Sequence, residues 1–181
     1  MINTIEDYEA INDEIRSLIK RLKPHLFLTF KDVRGNGHTG FRTTSPEGYS
    51  SRELHAERAM SLLACKLGIH KKGFKWLGIH ESGNRAAEGV VRDKGHIHIV
   101  ARLPQKISGD ALTKGIDEFR RALKKQMSWL DVCTTLNNQK DGNLFIQSLE
   151  AVMTYCAKNE AGFIDGRKFY KQPFGSALRL N

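Results

Sequence analysis

The stretch His96-Ile97-His98-Ile99-Val100-Ala101-Arg102-Leu103, closed by Pro104, constrains the fold more than any other part of the chain. Side chains two apart on a strand face the same side. The spacing therefore predicts a strand with Ile97 and Ile99 buried on one face and His96 and His98 side by side on the other. Such a strand needs neighbours, and the remaining sequence supplies them. Tyr8, Ile11, Ile15, Ile19 and Leu22 recur at helical spacing over about Ile5 to Leu22, and Pro24 ends that helix. His25 to Phe30 is an apolar run of strand formers. Residues 34–50 carry Gly35, Gly37, Gly40, Pro46 and Gly48 and are expected to form a long exposed loop. A helix capped by Ser50 or Ser51 follows, running to about Leu67 with Gly68 as its stop.

Further strands are expected at Phe74–His80 and Trp129–Leu136, with a polar, glycine-containing hairpin loop over 81–94. Helices are expected from about Ala111 to Met127, capped by Ser108 or Asp110, and from Leu144 to about Asn159. The basic, glycine-rich tail, 161–181, shows no assignable element. After the first helix the order is strand, helix, strand, strand, helix, strand, helix. That order predicts an α+β fold with a central antiparallel sheet, ferredoxin-like or split βαβ, and flanking helices. Repeats, low-complexity tracts and linkers are absent, so one domain over 1–181 is expected.

Charge and composition narrow the function classes. The 181 residues carry a net charge of +9, which favours a polyanionic partner, because each neutralised phosphate releases a counterion. Cys65, Cys133 and Cys156 are isolated and odd in number, and read as reduced thiols rather than a disulfide frame or zinc site. No apolar run approaches a membrane span, and the N-terminus opens into Glu6, Asp7 and Glu9, unlike a signal peptide. An intracellular, cytoplasmic protein without a membrane partner is expected.

Two imidazoles on one strand face form a two-point metal ligand, although the same pattern also describes two histidines on a wet sheet face. Glu81, at the end of the preceding strand, is the favoured third ligand. His80 and Glu88 are the alternatives; His80 should face away from Glu81 if the strand continues that far. In the last helix Tyr155 and Lys158 are three apart and share a face. A phenol can attack phosphorus, and a neighbouring ammonium can stabilise the charge. The ordinary reading of that pair is a core tyrosine and a snorkelling lysine.

The ordered set is more specific than its members. Phe27-Leu28-Thr29-Phe30, then His96-Ile97-His98, then Tyr155-x-x-Lys158 resembles the HUH endonuclease superfamily, in particular the single-tyrosine initiators of rolling-circle replication. The three motifs span about residues 25–160. Relaxases of that superfamily usually place the tyrosine ahead of the histidines, whereas Tyr155 follows them. The resemblance implies that His96, His98 and Glu81 bind Mg²⁺ or Mn²⁺. Glu88 stays open as the third ligand, because the segment from Glu81 to His96 is longer than expected. It implies that Tyr155 is the nucleophile with Lys158 beside it, and that Thr29 and Phe30 are mainly structural. The implied activity is nicking and rejoining of single-stranded DNA through a 5′-phosphotyrosine. The implied substrate is a plasmid or phage replication origin, a hairpin being one form of it, in a bacterial host.

Candidate DNA-tracking residues are Lys31, Arg34, Arg42, Arg85, Arg92, Lys94 and the basic stretch 167–171, with Phe41, Tyr49 and Trp76 as candidate stacking groups. There is no GxxxxGK[ST] segment, so no helicase domain is expected over 1–181; either a host helicase opens the duplex or the sequence is part of a longer protein. The rival readings are a non-catalytic single-strand-binding sheet, a phosphoesterase that uses water, and a transposase- or relaxase-type strand transferase.

Overall fold

The computed structural model describes residues 5–32, 46–87, 90–93, 96–104, 107–128, 130–133, 145–157 and 169–179. The elements are α1 (Ile5–Leu22), β1 (Leu26–Asp32), α2 (Pro46–Lys66), β2 (Lys75–Ala87), β3 (Val90–Asp93), β4 (His96–Arg102), α3 (Gly109–Gln126), β5 (Leu130–Cys133), α4 (Leu149–Cys156) and β6 (Phe169–Phe174). A short 3₁₀ turn, Ser176–Arg179, follows. Among the described residues the architecture is α+β, with an antiparallel sheet and four helices.

The central strands lie in the order β2-β4-β1-β5, and β6 pairs with β2. Every pairing is antiparallel. Glu81 pairs with His96, and Asn84 pairs with Asp93 in the same register, so β3 and β4 lie along one side of β2 as two segments of a single ladder. The polar stretch from Glu81 is therefore not the expected hairpin loop. β2 runs on to Ala87, and β3 answers it at Val90–Asp93. Polar residues and Gly83 mask the alternation that would have marked these strand arms, whereas backbone pairing with β4 and β6 tolerates them.

Alternation divides the sheet into two apolar faces. Leu26, Leu28, Phe30, Ile97, Ile99 and Ala101 pack against α2 and α3. Phe27, Leu77, Ile79 and Val100 pack against α1 and α4. The expectation for Ile97 and Ile99 holds: both are buried on the face away from His98. Each leucine, isoleucine, valine and phenylalanine among them stabilises the fold by roughly 1.5–3 kcal/mol when fully withdrawn from water.

Three further expectations are corrected. α2 begins at Pro46, earlier than the serine caps, because proline fits the first turn of a helix, where no intrahelical N–H bond is lost. The last helix is shorter than 144–159: Ser148 caps it, and it ends at Cys156 with Ala157 as C-cap. The tail supplies β6, which among the described residues is an edge strand paired with β2 alone, a position that accommodates Pro173 and its missing N–H.

Close approach anchors β6. A Cβ on Gly78 would lie 2.5 Å from the Phe174 ring. Gly175 turns the chain with φ +108 directly against Trp76. Trp76 is buried and meets Phe174 edge to face at 5.6 Å, so it is a core aromatic and not a DNA-stacking group. Residues 34, 41 and 42 and Lys94 lie outside the described residues, as do the side chains of Lys31, Tyr49, Arg85 and Arg92.

Candidate active site

Thr29 of β1, His98 of β4 and Ile79 of β2 stand in one rung across the sheet, on the α1/α4 face. Two residues further along, Lys31, His96, Glu81 and Lys171 share a rung by backbone register. β4 is an interior strand, which places the two histidine positions at the middle of the sheet.

His98 is fully buried, so it is not a histidine on a wet sheet face. Its Nδ1 lies 3.1 Å from Thr29 Oγ1 in a hydrogen bond, and Thr29 is itself 6% exposed. The Phe27 ring stacks beside the imidazole at 5.6 Å and 27°. Tyr155 closes the group, its ring meeting His98 at 4.9 Å and 72° and Phe27 at 5.7 Å and 87°. The first-motif strand, the histidine strand and the tyrosine helix thus meet in one cluster.

The position of Tyr155 follows from how α4 is held. The chain entering α4 is sewn to the start of β1, where Ile146 N–H donates to the His25 carbonyl at 2.8 Å and Leu26 bridges Phe145. Ser148 then caps the helix by accepting from Ala151 N–H at 3.1 Å. Val152, Met153 and Cys156 bury one side of α4. At the far end Arg16 of α1 donates to the Ala157 carbonyl at 3.0 Å. Tyr155 is left half-buried beside His98.

Of the alternative third ligands, His80 is excluded by position. It is fully buried on the α2 side of the sheet, where its Nδ1 lies 3.4 Å from the Glu53 carboxylate. Glu81 pairs in register with His96, so β2 delivers a carboxylate-bearing position beside the histidine strand. Glu88 and Lys158 lie outside the described residues, as do the side chains of Glu81 and His96. Among described side chains, no group of three His, Cys, Asp or Glu residues is placed to hold a metal. By backbone register the strands bring together two histidine positions and one glutamate position, residue types that would suit Mn²⁺ or Mg²⁺.

Lys171 of β6, which closes the basic stretch expected to track DNA, is instead buried: it is 3% exposed, donates to Asn12 Oδ1 at 2.7 Å and lies 5.0 Å from the centre of the buried Tyr8 ring. It is a core cation and not a DNA-tracking group; residues 167–168 lie outside the described residues. A buried ammonium is costly unless it is hydrogen-bonded. Asn12 could have been noticed, since it falls among the helical positions of Tyr8, Ile15 and Ile19 and is a polar residue in an apolar stripe. Phe27 looked like an ordinary core residue, and nothing in its local sequence separates it from Leu26 or Leu28.

Comparison with family models, curated proteins and solved structures returns no match. Among the described residues, no helix is long and apolar enough to cross a membrane.

Proposed function

We propose that the protein nicks and rejoins single-stranded DNA through a covalent 5′-phosphotyrosine on Tyr155, and so initiates rolling-circle replication of a plasmid or phage. The observation that carries this reading is the contact between Tyr155 and His98, two residues brought together from distant parts of the chain. The strand order β2-β4-β1-β5, with α2 and α3 on one face, fits a ferredoxin-like core of the kind the HUH resemblance implies.

In the proposed reaction the Tyr155 phenol oxygen attacks the scissile phosphorus in line. The new O–P bond forms as the P–O3′ bond breaks. The phenolic proton passes to solvent, and the departing 3′ oxygen takes up a proton to become the free hydroxyl. The phosphotyrosine keeps the bond energy of the phosphodiester, so a later 3′-hydroxyl can reverse the step without ATP. Lys158 is assigned to stabilising charge on the phenolate or phosphate. His96, His98 and Glu81 would hold the cation. Mg²⁺ or Mn²⁺ bound there supplies Lewis-acid polarisation of a non-bridging phosphate oxygen.

The test is incubation with labelled single-stranded DNA and Mn²⁺, followed by a denaturing gel. A covalent adduct is expected for the natural chain and none for Tyr155→Phe. An adduct that persists in Tyr155→Phe rejects the nucleophile. Cleavage that survives replacement of both His96 and His98 by alanine rejects the metal ligands.

A further inference from the structure

The imidazole of His98 has little freedom left once its neighbours are counted. Phe27 stacks along one side of it, and Tyr155 meets it edge to face. These two contacts fix the plane of the ring. They do not decide which way round the ring sits in that plane, nor which nitrogen carries the proton. A neutral imidazole can be protonated on either nitrogen, and the hydrogen bond made by one nitrogen sets the role of the other.

Thr29 is a polar group within hydrogen-bond reach of Nδ1, and its hydroxyl can accept from Nδ1–H or donate to a bare Nδ1. It sits directly across from His98 in the β1–β4 register, and its hydroxyl lies 3.1 Å from Nδ1. Both residues are withdrawn from water, so solvent does not offer an equal substitute. Threonine is branched at Cβ and stiff about its first side-chain torsion, which holds the hydroxyl in place.

We infer that Thr29 is a positioning residue for His98: its hydroxyl oxygen accepts from Nδ1–H, fixing the tautomer in which Nε2 presents its lone pair as the metal-binding nitrogen. The inference rests on the proposed reading of His98 as a metal ligand. A metal-ligating histidine needs a deprotonated donor nitrogen, and a partner on its other nitrogen raises the basicity of the ring and fixes its orientation. Thr29 thereby gains a role beyond strand packing, one exerted through His98 and not on the substrate. The opposite polarity, with the threonine hydroxyl donating to Nδ1, would leave a proton on Nε2 and block ligation there.

The first readout needs neither metal nor DNA. Nitrogen-15 NMR of the metal-free protein, at a pH where His98 is neutral, distinguishes a protonated Nδ1 from a protonated Nε2. The natural chain is expected to show Nδ1–H. Thr29→Val, which matches threonine in shape and lacks the hydroxyl, is expected to lose that single tautomer, and Thr29→Ser to retain it. Predominant Nε2–H in the natural chain, or an unchanged spectrum in Thr29→Val, overturns the inference. The second readout is Mn²⁺ affinity by electron paramagnetic resonance, on variants whose thermal midpoints show them folded. Thr29→Val should bind about 10–100-fold more weakly, with Thr29→Ser close to the natural chain. Equal affinity in Thr29→Val overturns the role assigned to Thr29. If the natural chain binds no Mn²⁺ at all, the metal reading of His98 fails and takes the ligand role of Nε2 with it. A natural chain that binds Mn²⁺ but forms no adduct with DNA defeats the proposed activity alone.

Discussion

The rings of Tyr155 and His98 meet edge to face with their centroids 4.9 Å apart, so α4 and β4 share a contact at the point where the proposed nucleophile and a proposed metal ligand must converge. The two parts of Tyr155 have different roles: its ring packs against His98, while its hydroxyl is the proposed nucleophile. The two can be separated by mutation. Tyr155→Phe keeps the ring and should cost about 1 kcal/mol or less in stability, in line with the loss of one hydrogen-bonding group. On a chain of this size that is a fall of about 2–4 °C in the thermal midpoint. Adduct formation should nevertheless vanish, with Mn²⁺ affinity retained. Tyr155→Ala should lose the adduct and in addition destabilise the protein clearly more than Tyr155→Phe. Denaturant melts of both variants, run beside the adduct assay, check this; equal destabilisation by the two would show that the ring contributes nothing to holding α4.

Phe27 should behave as a support for both partners, because it touches His98 and Tyr155 together and is itself buried. Phe27→Ala is expected to cost about 3–5 kcal/mol through lost burial and the cavity left behind. Phe27→Leu fills most of that space and should leave a folded protein. Without a flat ring beside the imidazole, the orientation of His98 should be less well defined, so Phe27→Leu should lower the rate of cleavage while the protein stays folded. Single-turnover cleavage compared with chemical denaturation distinguishes the two effects, and a Phe27→Leu variant that cleaves at the natural rate would confine Phe27 to the core.

How much of this was legible in the sequence differs from element to element. The period-two pattern at His96–Val100 placed β4 and its buried face, because strand alternation is a local property. α1 was legible for the same kind of reason, an apolar stripe at helical spacing, and α3 from its capping residue, Ser108. The strand arms of β2 and β3 were not, because Glu81, Ser82, Gly83 and Asn84 carry no apolar signal and are held by pairing with partners on other strands. β6 was hidden by Pro173 and by its dependence on Gly78, a residue nearly a hundred positions earlier. In the site, residue types pointed to His98 and Tyr155, but the engagement of His98 by Thr29 needed the cross-strand register, which a strand does not carry in its own sequence.

The Gly78–Phe174 contact should be the most sensitive point in the attachment of β6. Alanine at 78 would put a methyl group 2.5 Å from the Phe174 ring, and the strand that carries that ring would have to shift. Gly78→Ala is expected to destabilise the protein by about 1–3 kcal/mol, the usual penalty for overpacking a filled core. Phe174→Leu alone should also cost stability, through lost contact with Trp76. Together the two changes should cost less than the sum of their separate effects, because the smaller side chain makes room for the added methyl group. A double-mutant cycle by urea denaturation measures this coupling, and simple additivity would mean that the clash is relieved elsewhere.

Arg16 offers the most direct route for altering the tyrosine helix without touching the site. α4 has only 8 residues, too few to be stable as an isolated helix, so its position depends on tertiary contacts. One of these is the bond from the Arg16 guanidinium to the carbonyl of Ala157, the C-cap residue, with Asp13 holding the same side chain at 2.7 Å. A cation at a helix C-terminus satisfies a carbonyl that lacks an intrahelical partner and interacts favourably with the helix dipole. Arg16→Met keeps much of the aliphatic stem and removes the donor. It should cost about 0.5–1.5 kcal/mol, a cost concentrated in the last turn of α4. Because Tyr155 lies in that turn, its alignment for attack should suffer more than the fold does. The expected outcome is faster amide exchange at Tyr155 and Cys156, unchanged exchange in β1 and β4, and slower adduct formation with Mn²⁺ affinity intact. Uniformly faster exchange across the sheet would instead make Arg16 a general stabiliser with no particular claim on the tyrosine.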